Sequence, residues 1–112
     1  MSARQTPSDL LTPAVLHILL ALAGEDLHGY GIQSSVEERT GGRLRLGPGT
    51  LYEAIHRLDD DGWIEELPGG GRKRVYRLTE AGRAAMRQEL RRMEEIVEGA
   101  RRADLLEDPA VS

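Results

Sequence analysis

Two groups of side chains in this sequence could do chemistry on a polyanion. Arg72, Lys73 and Arg74 follow Pro68-Gly69-Gly70-Gly71, and cations beside a glycine-rich tip can approach a phosphate backbone closely because no Cβ atoms intervene. Upstream, Thr50, Tyr52, Glu53, His56 and Arg57 are spaced so that the early, polar face of a helix would carry them toward base edges and phosphates. Tyr30 stands at a helix start among small residues, where its phenol, like that of Tyr52, can donate to a phosphate oxygen.

Catalytic chemistry has no comparable support. Cysteine is absent, and the three histidines fall in an apolar stretch (His17), at a helix start (His28) and on the polar face (His56). There is no HExxH, no paired-carboxylate motif and no nucleophile elbow. Gly47-Pro48-Gly49-Thr50 lacks the lysine and spacing of a phosphate loop and reads as a turn into a helix. Asp59-Asp60-Asp61 could hold a divalent cation, but reads as a solvated helix end. No enzyme activity, cofactor or metal is expected. A metal-responsive protein using His17 or His28 with Glu25 and Asp26 is the alternative that this inventory leaves open.

These residues need elements to position them. The 112 residues make one small domain. The formal net charge of −4 argues against a nucleic-acid partner only as an average. Between Arg39 and Arg77 eight bases face six acids, and this middle third is the only basic one. The lack of cysteine and of a signal-peptide layout at the start points to the cytoplasm. The longest apolar run, Val15 to Ala23, is far short of the ~20 residues that cross a bilayer, so no membrane partner is expected.

Thr12-Pro13 marks a helix start, and Leu11, Val15, Ile18, Leu19 and Leu22 recur at helical spacing until Gly24. A second helix is predicted from Gly29 to Thr40 with Ile32 and Val36 inward, and Gly41-Gly42 ends it. Arg43-Leu44-Arg45-Leu46 alternates like a short strand. A third helix should begin near Thr50, bury Leu51, Ile55 and Leu58, and stop at Asp61-Gly62. Trp63 to Leu67 and Arg72 to Leu78 form a hairpin, with Trp63 and Tyr76 as packing residues. Thr79 caps a last helix reaching Ala103, on which Met86, Leu90, Met93, Val97 and Ala100 make a coiled-coil seam flanked by Arg91–Glu95 and Glu98–Arg101 pairs. The first several residues and the tail after Leu106 are expected to fray.

In this order the elements give a mainly α fold with a small β-hairpin. It is a winged helix-turn-helix over residues 9–78, followed by a coiled-coil dimerisation helix over residues 79–106. The third helix would enter a major groove while the wing bases Arg72, Lys73 and Arg74 reach adjacent phosphates. A winged-helix module that dimerises and docks on protein, kept off DNA by its acidity, is the reading from a different class.

The stretches LHILLAL (Leu16 to Leu22), LHGYGI (Leu27 to Ile32), GPGTLYEAIHRL (Gly47 to Leu58), DGWIE (Asp61 to Glu65) and RVYRLTEAG (Arg74 to Gly82) resemble the small PadR-family transcriptional regulators with a single C-terminal helix. Regulators of the MarR or ArsR type share the architecture but not the LHGY and GTLY pair. The resemblance, which spans about Leu10 to Leu90, implies a homodimer on double-stranded, inverted-repeat operator DNA. Such regulators usually repress a transporter or detoxification gene until a small-molecule effector releases it. It implies DNA contacts at Tyr30, Pro48, Thr50, Tyr52, His56 and Arg57, with Arg72, Lys73 and Arg74 on the wing. Effectors of the family, often planar and aromatic, bind between the first and last helices. This chain departs from the better-described members there, because its last helix has no aromatic residue. Met86, Leu90 and Met93 could line an adaptable apolar pocket or serve only as seam.

Overall fold

The computed structural model describes residues 12–69 and 71–107. The elements run α1 Pro13–Gly24, β1 Leu27–His28, α2 Gly29–Arg39, α3 Pro48–Asp60, β2 Ile64–Glu66, β3 Val75–Leu78 and α4 Glu80–Arg102. Leu11, Gly70 and, of the residues expected to fray, the first several and those beyond Glu107 lie outside the described residues; Glu107 itself is described, and its carbonyl accepts from Arg101 Nε at 3.3 Å.

Local chemistry sets most boundaries. The Thr12 hydroxyl accepts the Val15 N–H at 3.2 Å, and Pro13 follows at the first helical position, where its missing N–H costs nothing. Thr79 caps α4 in the same way, accepting the Gly82 N–H at 3.0 Å. After α3 the chain reverses at Gly62, whose φ of +80° suits glycine, and the Trp63 N–H closes the turn on the Leu58 carbonyl at 3.0 Å.

Two boundaries differ from the sequence reading. The third helix starts at Pro48, because proline's φ already suits a first helical residue and Gly47 accepts the Leu51 N–H at 2.9 Å. Thr50 therefore lies inside the first turn. Arg43 to Leu46 forms no strand. Leu44 and Leu46 do turn inward, but their polar backbone is spent on α2: the Leu44 N–H donates to the Thr40 hydroxyl at 3.1 Å, and Gln33 Nε2 donates to the Leu46 carbonyl.

The sheet is also larger than a hairpin. Its antiparallel order is β1-β3-β2, with Leu27 opposite Tyr76 and His28 opposite Val75 on one edge, and Ile64 opposite Leu78 on the other. Glu65 faces Arg77 across the β2–β3 pair at 3.6 Å. β1 thus ties the start of α2 to the base of the wing.

The core collects Ile18, Leu19, Ile32, Val36, Leu51, Ile55, Leu58, Ile64, Tyr76 and Met86 around α1. That helix packs against α2, β3 and α4, so Leu16 and Ala21 are buried beside the expected Ile18, Leu19 and Leu22. Burial on several sides erases the one-sided pattern that periodicity detects. α4 is buried only early, at Gly82, Ala85, Met86 and Glu89. Met86 is 4 % exposed and belongs to the core of its own chain. Leu90 and Ile96 are exposed, and Met93, Val97 and Ala100 are half-buried. The Glu98–Arg101 pair forms at 3.4 Å, while Arg92 rather than Arg91 makes the other pair, reaching back to Glu89 at 3.2 Å.

Candidate nucleic-acid interface

The polar face of α3 is where periodicity put it. Leu51, Ile55 and Leu58 are buried, so Tyr52, Glu53, His56 and Arg57 face outward. Pro48 and Thr50 are exposed on the first turn of the same helix.

Tyr52 leans onto the start of α2. A Cβ built on Gly29 would lie 2.3 Å from the Tyr52 hydroxyl, so only glycine lets this ring sit there. Tyr30, one residue on, is 70 % exposed, with its ring 6.4 Å from that of His28 and inclined by 17°. His28 is the cap of α2: its Nδ1 accepts the Gly31 N–H at 3.1 Å.

The loop between β2 and β3 closes the site. A cleft of about 480 Å³ is lined by His28, Gly29, Tyr30, Tyr52, His56, Arg72, Lys73, Arg74 and Tyr76. Six of the nine expected DNA-contacting residues meet here: Tyr30, Tyr52, His56 and the three wing cations. Pro48, Thr50 and Arg57 stay on α3 outside it. Among the described residues no carboxylate is in the cleft lining, and Glu66 lies just outside it against Arg74. An acidic chain thus shows a cationic, aromatic surface at one place. Arg74 is steadied by Glu66 at 3.9 Å, whereas Arg72 and Lys73 have no carboxylate partner among the described residues.

Burial pushes the Tyr76 hydroxyl above its ordinary 10.0, the Glu66 carboxylate adds to this, and the Arg74 guanidinium opposes both. A group bound more tightly to its proton in the folded state gives stability that is complete below its unfolded value and is lost as pH rises past it. The thermal midpoint is therefore expected to fall as the pH rises above about 10, and to fall less in Tyr76→Phe. Parallel midpoint curves for the two proteins would remove this role.

Alternation with Leu78 puts Tyr76 in the core but does not reveal its edge on the cleft, and the sequence shows His28 only as a helix opener. Leu27-His28 pairs with the wing strand in β1, and two residues are too few to read as a strand from sequence. The alternative metal set of His17, His28, Glu25 and Asp26 does not assemble: among the described residues no three or more His, Asp or Glu are grouped to hold a metal ion. No helix among them is long and apolar enough to cross a membrane.

Comparison with known proteins agrees with this geometry. Residues 15–88 match the transcriptional regulator PadR-like family. The chain is 39 % identical over 84 residues to the transcriptional regulator Rv3488 of Mycobacterium tuberculosis, covering 72 % of this chain and 76 % of that protein. A PadR family transcription regulator from Clostridium difficile R20291 is similar in structure, with a TM-score of 0.70 and 25 % identity over 81 % of this chain and 97 % of that one. Bacillus subtilis PadR, solved in complex with operator DNA, is similar with a TM-score of 0.59 and 26 % identity, covering 70 % of this chain and 47 % of that one.

Proposed function

The chain belongs to the PadR-like family of transcriptional regulators, and from that premise we propose that it acts as a homodimer on an inverted-repeat operator, repressing a gene until a small molecule releases it. It is a winged-helix DNA-binding regulator and not an enzyme. The observation that carries the reading is the cationic, aromatic cleft where α2, α3 and the wing meet. The operator complex of Bacillus subtilis PadR supports the choice of DNA as ligand.

In this reading Arg72, Lys73 and Arg74 hold phosphates, Tyr30 and Tyr52 donate to phosphate oxygens, and Thr50, His56 and Arg57, led in by Pro48, meet the bases. A second copy covers the later turns of α4, where Leu90, Met93, Val97 and Ala100 continue an apolar stripe among Arg87, Arg91, Glu94 and Glu98. Charges of both signs along one stripe suit pairing with themselves. An effector would act between α1 and α4. These helices carry a buried imidazole nitrogen without a hydrogen-bond partner among the described residues, His17 Nδ1, and a buried carboxylate, Glu89, whose Oε1 is held by Arg92 at 3.2 Å. Two copies reading half-sites one helical turn apart imply a palindrome with centres ~34 Å apart.

The test is fluorescence anisotropy on DNA upstream of the protein's own gene, at two salt concentrations, with scrambled competitor and a chain shown to be dimeric by sedimentation. Tight, salt-sensitive and selective binding is expected. Arg74→Ala should weaken binding to operator and scrambled DNA alike and flatten the salt dependence, while His56→Ala and Arg57→Ala should narrow the gap between the two. No preference over scrambled DNA would overturn operator recognition.

A further inference from the structure

His28 does two things at once. Its Nδ1 is committed to the Gly31 N–H at 3.1 Å, and an imidazole nitrogen that accepts a hydrogen bond carries no hydrogen, which leaves the ring hydrogen on Nε2. That donor has no acceptor among the described residues and is not among the buried unpartnered atoms. It is therefore unspent, on a ring that lines the cleft.

The ring's position is fixed from several sides. The capping bond holds one nitrogen, Tyr30 lies nearly parallel at 6.4 Å, and His28 sits opposite Val75 in the β1–β3 ladder, next to Arg74. Arginine and lysine side chains lose much rotamer freedom when they engage a phosphate. A ring already ordered by its neighbours loses little.

We propose that His28 is a further DNA-contacting residue, whose capping bond fixes the tautomer in which Nε2–H donates to a backbone phosphate taken into the cleft. β1 keeps this donor in register with the wing cations, so that α2 and the wing grip the backbone as one unit. The proposal rests on the DNA-binding reading above and deepens it. A neutral donor neutralises no phosphate charge and releases no counterion, so its loss lowers affinity without changing the salt dependence. Loss of Arg74 changes both.

His28→Asn separates the two roles of the residue. Asparagine supplies a capping oxygen but is too short to replace the far edge of the imidazole. The thermal midpoint is expected to hold, while affinity falls about three- to tenfold on operator and scrambled DNA alike, as one lost neutral hydrogen bond implies. The slope of log affinity against log salt should match the unsubstituted protein. Unchanged affinity in a folded His28→Asn protein overturns the proposal. Should the variant not fold, long-range proton–nitrogen correlation on the labelled, unsubstituted protein decides. His28 is expected to be protonated at Nε2 in the free protein, with that proton shifting downfield and resisting exchange when DNA is added. A ring protonated at Nδ1, or an Nε2 proton indifferent to DNA, overturns the assignment. If the unsubstituted protein binds no DNA, the underlying reading fails as well; if it binds and His28 is silent, only the role of His28 falls.

Discussion

Replacing Arg72, Lys73 and Arg74 together by alanine is expected to lower affinity for operator DNA about a hundredfold at physiological salt, even if only three phosphates per dimer are lost. The log–log salt dependence has a slope of about −0.9 per neutralised phosphate, so three lost contacts remove about 2.7 from it. The wing is suited to such an effect because its cations are exposed and its loop sits beside the cleft. Arg74 is tied to Glu66, and Arg77 to Glu65, so the ion pairs orient the base of the wing and leave Arg72 and Lys73 to the ligand. Arg102→Ala, which removes an exposed cation at the far end of α4, should leave slope and affinity near their original values. A triple variant with an unchanged slope would show that the phosphates are held elsewhere.

Gly82→Ala should unfold the domain more readily than any other single methyl addition in α4. Helix propensity alone gives the opposite sign, since alanine is favoured over glycine by about 1 kcal/mol in a helix interior. Here a Cβ would stand 2.1 Å from the Trp63 carbonyl oxygen and 2.8 Å from Leu78 Cδ1. That oxygen already accepts the Thr79 N–H at 3.0 Å, and the Thr79 hydroxyl donates to the Gly62 carbonyl at 2.6 Å. The end of α3, the start of β2 and the first turn of α4 meet at this point, so the Leu78 side chain could shift but the backbone carbonyl of Trp63 could not. Overpacking of this kind costs about 3 kcal/mol, or roughly 15 °C in the thermal midpoint of a domain this small. Ala84→Gly, at an exposed position two residues away, should cost only about 1 kcal/mol. A Gly82→Ala protein as stable as the original would refute the close contact.

These two predictions also mark what could be read in advance. The wing cations, the polar face of α3 and the hydroxyl caps at Thr12 and Thr79 are local signals, because composition, periodicity and capping act within a few residues. The features that assemble the site are not local. β1 consists of two residues and exists because β3 offers it an edge. The same pairing carries His28 and Tyr30 to the wing. Arg43 to Leu46 shows the reverse case: alternation predicted which side chains turn inward, but α2 claimed the backbone groups that a strand would need. Met86 fits the seam by spacing, yet spacing does not say which body covers a face, and Met86 is covered by its own chain. Gly82 and Gly29 gave no local sign of the atoms pressed against them.

The division of labour along α4 has a consequence for how such a protein changes through descent. Its first turns are locked into the core through Gly82, Ala85 and Met86, so substitutions there are answered by loss of the whole fold. Beyond Met93, the last residue of the helix packed against the core, α4 runs clear of that core, and Ile96 is 71 % exposed. Substitutions in those later turns escape that constraint, so inherited variation can accumulate at one end of a helix while the DNA-facing half stays constant. Those turns can therefore change without disturbing the core that positions α3 and the wing.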